Sequence, residues 1–413
     1  MLDKEVIFVT PSPGILRVGV VWVLVQNWLE GARKRWGYAR VLTPDGFVDH
    51  DDIRQAAWGR RESYVRSPYR RWGGLLLRTA AKDARNLVIA AKFDQQVRRN
   101  PPDIDPLFIW QYHSLFQKAG LTIGQNRGCP VVLFVDAPQV WESAKWGVGR
   151  PGWGRLIERY GERPQFRHAD IVACVSEEVA KATIERGALP DRVVITPGTA
   201  DVIRRAPERR DSDVDLGLGQ EVVVGWVGSF RAFHDAEMLV SAAAKLKPAR
   251  DVALVMVGEG ATRSSCMGLA AQLGLRRALF PGFISHDKIA HVLRTFDIAV
   301  VPRGPDEQFH GSPTKLKEYL AAGCAVVAPR VGEIARMFRH EHDLLMYTPG
   351  DPSEMRDAIQ LLIDDPRLRG RLGREGQRTY DRLFTMESQL DVLAQRLGLP
   401  GNAEQSRLQN STP

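Results

Sequence analysis

Residues 309–334 read FHGSPTKLKEYLAAGCAVVAPRVGEI. Ser312 is a suitable helix cap, and Pro313 suits a first helical turn, where its missing N–H costs nothing. The apolar positions after it recur at helical spacing as far as Gly323. An unbroken apolar run, Ala325–Ala328, then reads as a strand covered on both faces. A helix leading into such a strand is half of an α/β repeat.

The same alternation extends in both directions. Strand-like runs are predicted at Glu5–Thr10, Ala39–Leu42, Leu107–Tyr112, Val131–Val135, Ile171–Val175 and Val193–Thr196. A second set falls at Val222–Val227, Ala253–Val257, Ala278–Phe280, Ile298–Val301 and Leu344–Tyr347. Short strands apolar on both faces and separated by helices predict parallel sheets. With 413 residues, two doubly wound, Rossmann-like α/β domains are expected. Their expected bounds are 1–203 and 221–383. A charged, Gly- and Pro-containing linker, 204–220, lies between them. Residues 352–398 read as successive helices, of which 384–400 is expected to cross back to the first domain. A polar tail, 401–413, ends the chain.

Composition narrows the function classes. At 44% hydrophobic and 26% charged residues, the chain is an ordinary globular one. No apolar stretch is long enough to span a membrane, and the N-terminus lacks a signal-peptide pattern. Cys129, Cys174, Cys266 and Cys324 are scattered, which argues against a disulfide framework or a structural zinc site and fits a cytoplasmic location. The net charge of +8 points to an anionic partner. Most of that charge sits between Arg54 and Arg78, where seven arginines accompany one acid, Glu62, and Trp58, Tyr64, Tyr69 and Trp72 are interleaved. Aromatic residues among arginines suit a membrane interface. The segment is therefore expected to make peripheral contact with the inner face of the cell membrane; a solvated basic face, or a lid over the acceptor site for a soluble anionic substrate, stays open as an alternative. No nucleic-acid-binding module is recognisable.

Three places carry ligand chemistry. Gly14 follows the first strand in a Pro-Ser-Pro-Gly turn, a weak signal for an anion site. In GWVGSFRAFHD (225–235), Gly228 ends a strand. Ser229, Arg231 and His234 then precede a helix expected to run toward Leu246, an arrangement that can cradle phosphate. In the stretch quoted first, Lys315 lies in the first turn of its helix, where the macrodipole disfavours a cation unless an anion is near. Glu318 lies three residues on, on the same face. Taken alone, that pair would be a solvated ion pair.

The segment Phe309–Glu333 resembles the SPxKxxEYMAxGxPVV signature of retaining GT-B glycosyltransferases of family 4. VVGWVGSFRAFHDAEMLVSAA, VALVMVGEG, ADIVACVSEEVAKATIERG and DRVVITPGTADV resemble other parts of that family. The resemblance implies two Rossmann-like domains facing across a cleft. It implies a nucleotide-sugar donor held by the second domain and an unidentified acceptor in the first, where the basic segment 54–78 suits a lipid-linked or anionic one. It places Arg231 and Lys315 at the diphosphate, Glu318 at the ribose, Phe283 at the base, and Glu259 and Gly260 on the turn beneath the donor. Gly228, Ser229, His234, Gly311 and Ser312 complete the donor set. His310 stands where the family's first acid is expected, with Glu307 the nearest acid upstream. Gly198-Thr199-Ala200-Asp201 replaces an NGxD turn. His113, after the strand Leu107–Tyr112, resembles a cleft histidine, although a lone histidine at a strand end is more often structural. Asp136 ends the next strand. No DxD pattern is present at a strand end, so neither metal nor other cofactor is expected. A nucleotide-sugar 2-epimerase and a non-catalytic nucleotide-sugar-binding protein stay open as alternatives.

Overall fold

A computed structural model describes residues 4–11, 20–48, 74–145, 147–201, 203, 215–247, 250–284, 286–305 and 314–399. The chain forms two compact units, residues 1–198 with 386–413, and residues 199–385.

The first unit is built on a seven-stranded sheet. Its strands are β1 (Glu5–Val9), β2 (Ala39–Thr43), β3 (Gly46–Val48), β4 (Pro106–Tyr112), β5 (Val131–Val135), β6 (Ile171–Cys174) and β7 (Val193–Ile195). The spatial order is β3-β2-β1-β4-β5-β6-β7. All pairs are parallel except β2·β3, a hairpin. Full burial of β1, β5 and β6 matches their Val- and Ile-rich runs, because a parallel strand covered by helices has no polar face. Trp110 of β4 centres an aromatic cluster, with Phe8 at 5.0 Å, Phe134 at 5.1 Å and Trp28 at 5.7 Å.

The helix Met386–Leu397 belongs to this unit. It lies so close to the helix Val20–Trp36 that a Cβ on Gly31 would fall 2.2 Å from Met386 Cγ. Arg35 Nη1 also donates to Asp391 Oδ1 at 2.6 Å.

The second unit has six parallel strands, β8 (Val222–Val227), β9 (Val252–Val257), β10 (Ala278–Gly282), β11 (Ile298–Val300), β12 (Ala325–Pro329) and β13 (Leu345–Tyr347). The order is β10-β9-β8-β11-β12-β13. Counted within the unit this is 3-2-1-4-5-6, the dinucleotide-fold order, whose direction reverses between β8 and β11. Ligands of such sheets bind beyond the carboxyl ends of the strands at that reversal. β1 and β4 flank the corresponding point in the first sheet.

Three expectations are corrected. The first unit ends at Gly198, not at residue 203, because Ala200 and Ile203 are buried in the second unit's core. The Tyr380 hydroxyl secures that start: it donates to Asp201 Oδ1 at 2.6 Å and accepts from Ala200 N at 3.0 Å. The second unit runs to Thr385, not 383, because Phe384 is buried against Phe338 and Tyr380. The helix after His234 spans Ala236–Ala243 and stops short of Leu246. Residues 204–214 of the expected linker and the tail 401–413 lie outside the described residues.

Candidate anion site of the second unit

β8 ends at Val227, and the loop after it is clamped by backbone bonds. Gly228 N donates to Val257 O, Phe230 N to Glu259 O and Thr262 N to Phe230 O, each at 3.0 Å. The turn 258–260 can lie against this loop only as glycine at both ends. Gly258 has φ +130°, and a Cβ there would fall 1.9 Å from Gly228 O. A Cβ on Gly260 would fall 2.5 Å from Phe230 O.

Lys315 reaches the same loop from the helix Thr314–Ala322. Leu316, Tyr319 and Leu320 bury one side of that helix, and Gly323 at φ +80° ends it in the left-handed region. Val227 N donates to the Tyr319 hydroxyl at 2.8 Å, which ties the helix to the end of β8. Lys315 Nζ then lies 2.9 Å from where a Gly228 Cβ would stand, 4.9 Å from the centre of the Trp226 ring and 3.3 Å from His234 Nδ1. Part of the residue meets solvent, but the ammonium packs among these groups. Desolvation lowers its pKa from 10.5 to about 7, against the opposing pull of Glu318.

The His234 pKa is lowered to about 3, first by burial and then by the Lys315, Arg231 and Arg303 charges. The imidazole is neutral at working pH, so its Nδ1 is available to accept from the ammonium. Glu318 is buried at 8% exposure rather than solvated. Ser229 and Arg231 are exposed on the loop.

Arg303, which the sequence reading missed, completes the cationic group. It follows β11 across the reversal point and is buried at 7% exposure. Its Nη1 donates to Phe233 O at 3.1 Å and its N to the Tyr347 hydroxyl at 2.8 Å. Asp235 was also missed. It adopts φ +48° and accepts from Gly304 N at 2.6 Å. A cavity of about 360 Å³ is lined by Phe233, Asp235, Arg303, Gly304 and Pro305.

Glu259 is exposed and lies 3.6 Å from Arg263. Phe283, just beyond β10, leaves 66% of its surface exposed, high for a phenylalanine at a strand end. Gly14, Glu307, His310, Gly311 and Ser312 lie outside the described residues. Among the described residues, no group of three His, Cys, Asp or Glu side chains could hold a metal ion.

His113 lies in the first unit and is 2% exposed. Its N donates to Phe134 O at 2.8 Å. Its Nε2 lies 3.1 Å from Glu162 Oε1, and its ring packs on Phe166 at 4.9 Å. Glu162, fully buried at the end of a π-helical turn, Glu158–Glu162, also accepts from Gln139 N at 2.6 Å. The ring turns inward and joins the loops after β4 and β5. Asp136, half-buried, accepts from the Tyr112 hydroxyl at 3.0 Å.

The family model described as Glycosyl transferases group 1 matches residues 221–365. Two solved structures share the fold over nearly the whole chain. Sucrose-phosphate synthase from Thermosynechococcus elongatus aligns with a TM-score of 0.67 at 19% identity, over 95% of this chain and 98% of that one. Anabaena HepE in complex with UDP and glucose aligns with a TM-score of 0.62 at 16% identity, over 96% and 100%. The second unit is a glycosyl transferases group 1 domain, and the fold is GT-B. The Gly228 loop, Lys315 and Arg303 all belong to this group 1 domain. The 2-deoxystreptamine glucosyltransferase of Streptomyces kanamyceticus is 29% identical over 215 residues, 50% of this chain and 54% of that one. The chain thus spans about half the length of the curated relatives it matches.

Proposed function

We propose that this protein is a glycosyltransferase that moves a sugar from a nucleotide-sugar donor to an acceptor, with retention and without a metal. The observation that carries the reading is the Lys315 ammonium, packed against Gly228 at the reversal point of a group 1 domain. A desolvated lysine in a first helical turn is a poor place to leave a charge, and a bound diphosphate would make it a favourable one. The UDP and glucose bound to HepE and the glucosyltransferase relative support the same class.

In this reading Lys315, Arg231 and Arg303 neutralise the diphosphate, and neutral His234 holds the ammonium in place. Glu318 accepts from the ribose hydroxyls, and Phe283 offers a face to the base. The bond between the anomeric carbon and the diphosphate oxygen breaks, and an acceptor oxygen bonds to that carbon on the same face. The acceptor proton passes to the leaving diphosphate. Fixed cations stabilise the charge that develops on the leaving group. The cytoplasmic location and the membrane contact of Arg54–Arg78 belong to the same proposal; residues 54–73 lie outside the described ones.

The test is release of nucleoside diphosphate across a panel of nucleotide sugars and acceptors. Lys315→Ala and Glu318→Ala should each lose on the order of 10²–10³ in rate with the fold intact. Conversion of a donor to its 2-epimer without acceptor would overturn the transferase reading, as would unchanged rates in both variants.

A further inference from the structure

The helix Leu75–Arg99 buries Thr79, Asp83, Ala90, Phe93 and Val97. At about 100° per residue, Leu77, Ala84, Val88 and Ala91 fall on the opposite side. All four are exposed, Leu77 by 68% and Val88 by 52%, with Leu76 and Leu87 at 48% each along the same edge. A run of apolar residues left in water for several helical turns marks a binding surface. Arg85, Lys92 and Arg99 are exposed beside it. Both acids of the helix are already engaged: Asp83 takes a bidentate pair with Arg150 at 2.7 and 3.0 Å, and Asp94 pairs with Arg98 at 2.9 Å. The outward face is therefore apolar and basic, with no acid. Asp83 also accepts from Trp153 Nε1 at 3.1 Å, which fastens the helix to the segment that follows.

We infer that this face of the helix Leu75–Arg99 is a docking surface for an anionic lipid bilayer. The apolar stripe sits at the acyl boundary while the flanking cations meet lipid phosphates, the geometry of an interfacial helix. A nucleic acid would satisfy the basic side chains but has no use for the apolar stripe. No described helix is long and apolar enough to cross a membrane, so the attachment is peripheral and reversible. The inference rests on neither the donor site nor the sugar-transfer reading, and its test uses no activity.

The full chain is sedimented with vesicles of pure phosphatidylcholine and of equimolar phosphatidylcholine and phosphatidylglycerol. Binding to the mixed vesicles alone is expected. Arg85→Gln/Lys92→Gln/Arg99→Gln should weaken partitioning by roughly 100-fold, at about fivefold per cation. Leu77→Gln/Val88→Gln should weaken it by about tenfold or more. Both variants change only exposed residues and should keep the wild-type unfolding temperature. Should either fail to fold, an environment-sensitive dye on Val88→Cys reports the same contact by a blue shift on mixed vesicles. Absence of binding to the mixed vesicles, equal binding to both, or no blue shift would overturn the inference. So would wild-type binding by the cation variant, with loss only in Arg60→Gln/Arg61→Gln/Arg70→Gln/Arg71→Gln. Wild-type binding by Leu77→Gln/Val88→Gln would point to a polyanion instead and overturn it too.

Discussion

Replacing Lys315 by methionine should make the protein more stable and much less active. Methionine keeps the stem that packs beside Trp226 and removes the ammonium lodged against Gly228 and His234. A pKa lowered from 10.5 to about 7 corresponds to at most about 5 kcal/mol of desolvation, at ~1.4 kcal/mol per pH unit. Relaxation around the variant side chain will recover part of that, so a gain of roughly 1–4 kcal/mol is expected near pH 7. The pH dependence gives the sign. Between pH 7 and 10.5 the unfolded lysine holds a proton that the folded one has released, so this group makes the wild type more stable as pH rises. The advantage of Lys315→Met should therefore lose most of its pH 7 value by about pH 10. Urea unfolding at the two pH values measures it, and release of nucleoside diphosphate should fall by on the order of 10²–10³. A bound diphosphate would raise the lysine pKa again, so UDP should bind the wild type with proton uptake near neutral pH and more weakly above it. A Lys315→Met protein no more stable than wild type, with its advantage independent of pH, would refute the claim that the ammonium is desolvated here.

Other substitutions test the parts separately. Gly258→Ala puts a Cβ at φ +130° and 1.9 Å from Gly228 O. It should cost about 3 kcal/mol or more, read as a fall in unfolding temperature together with loss of nucleotide binding. His234→Ala removes the acceptor facing Lys315 and should weaken UDP binding several-fold. Because the wild-type imidazole titrates only at about 3, the pH–rate profile from about pH 5 to 7 should keep its shape in this variant, which a pH titration of the rate checks. Tyr380→Phe deletes the hydroxyl shared by Asp201 and Ala200 N. It should destabilise by about 1–3 kcal/mol, measured by urea unfolding.

What could be read in advance divides along a physical line. β8 and β9 were legible because six apolar residues in a row, rich in valine, state their own burial. β3 was not, because Gly46–Val48 is a three-residue antiparallel edge strand that is half exposed and has no apolar run to announce it. Lys315 was legible because a cation in a first helical turn conflicts with the dipole, and a local conflict of that kind signals a ligand. Glu162 was silent, because nothing local distinguishes it within RYGERPQF. Its partners His113 and Gln139 come from the loops after β4 and β5 and meet it only through packing. Arg303 was silent for a different reason. It stands some 70 residues from His234 along the chain, and only the pairing of β8 with β11 makes them neighbours. That pairing nevertheless follows from the architecture. In a sheet ordered 3-2-1-4, the first strand has the second on one side and the fourth on the other, and the ligand lies between the first and fourth. Once Val222–Val227 is taken as the first strand, Ile298–Val300 is the fourth. The residues that leave its carboxyl end, Val301-Pro302-Arg303-Gly304, must then face the Gly228 loop.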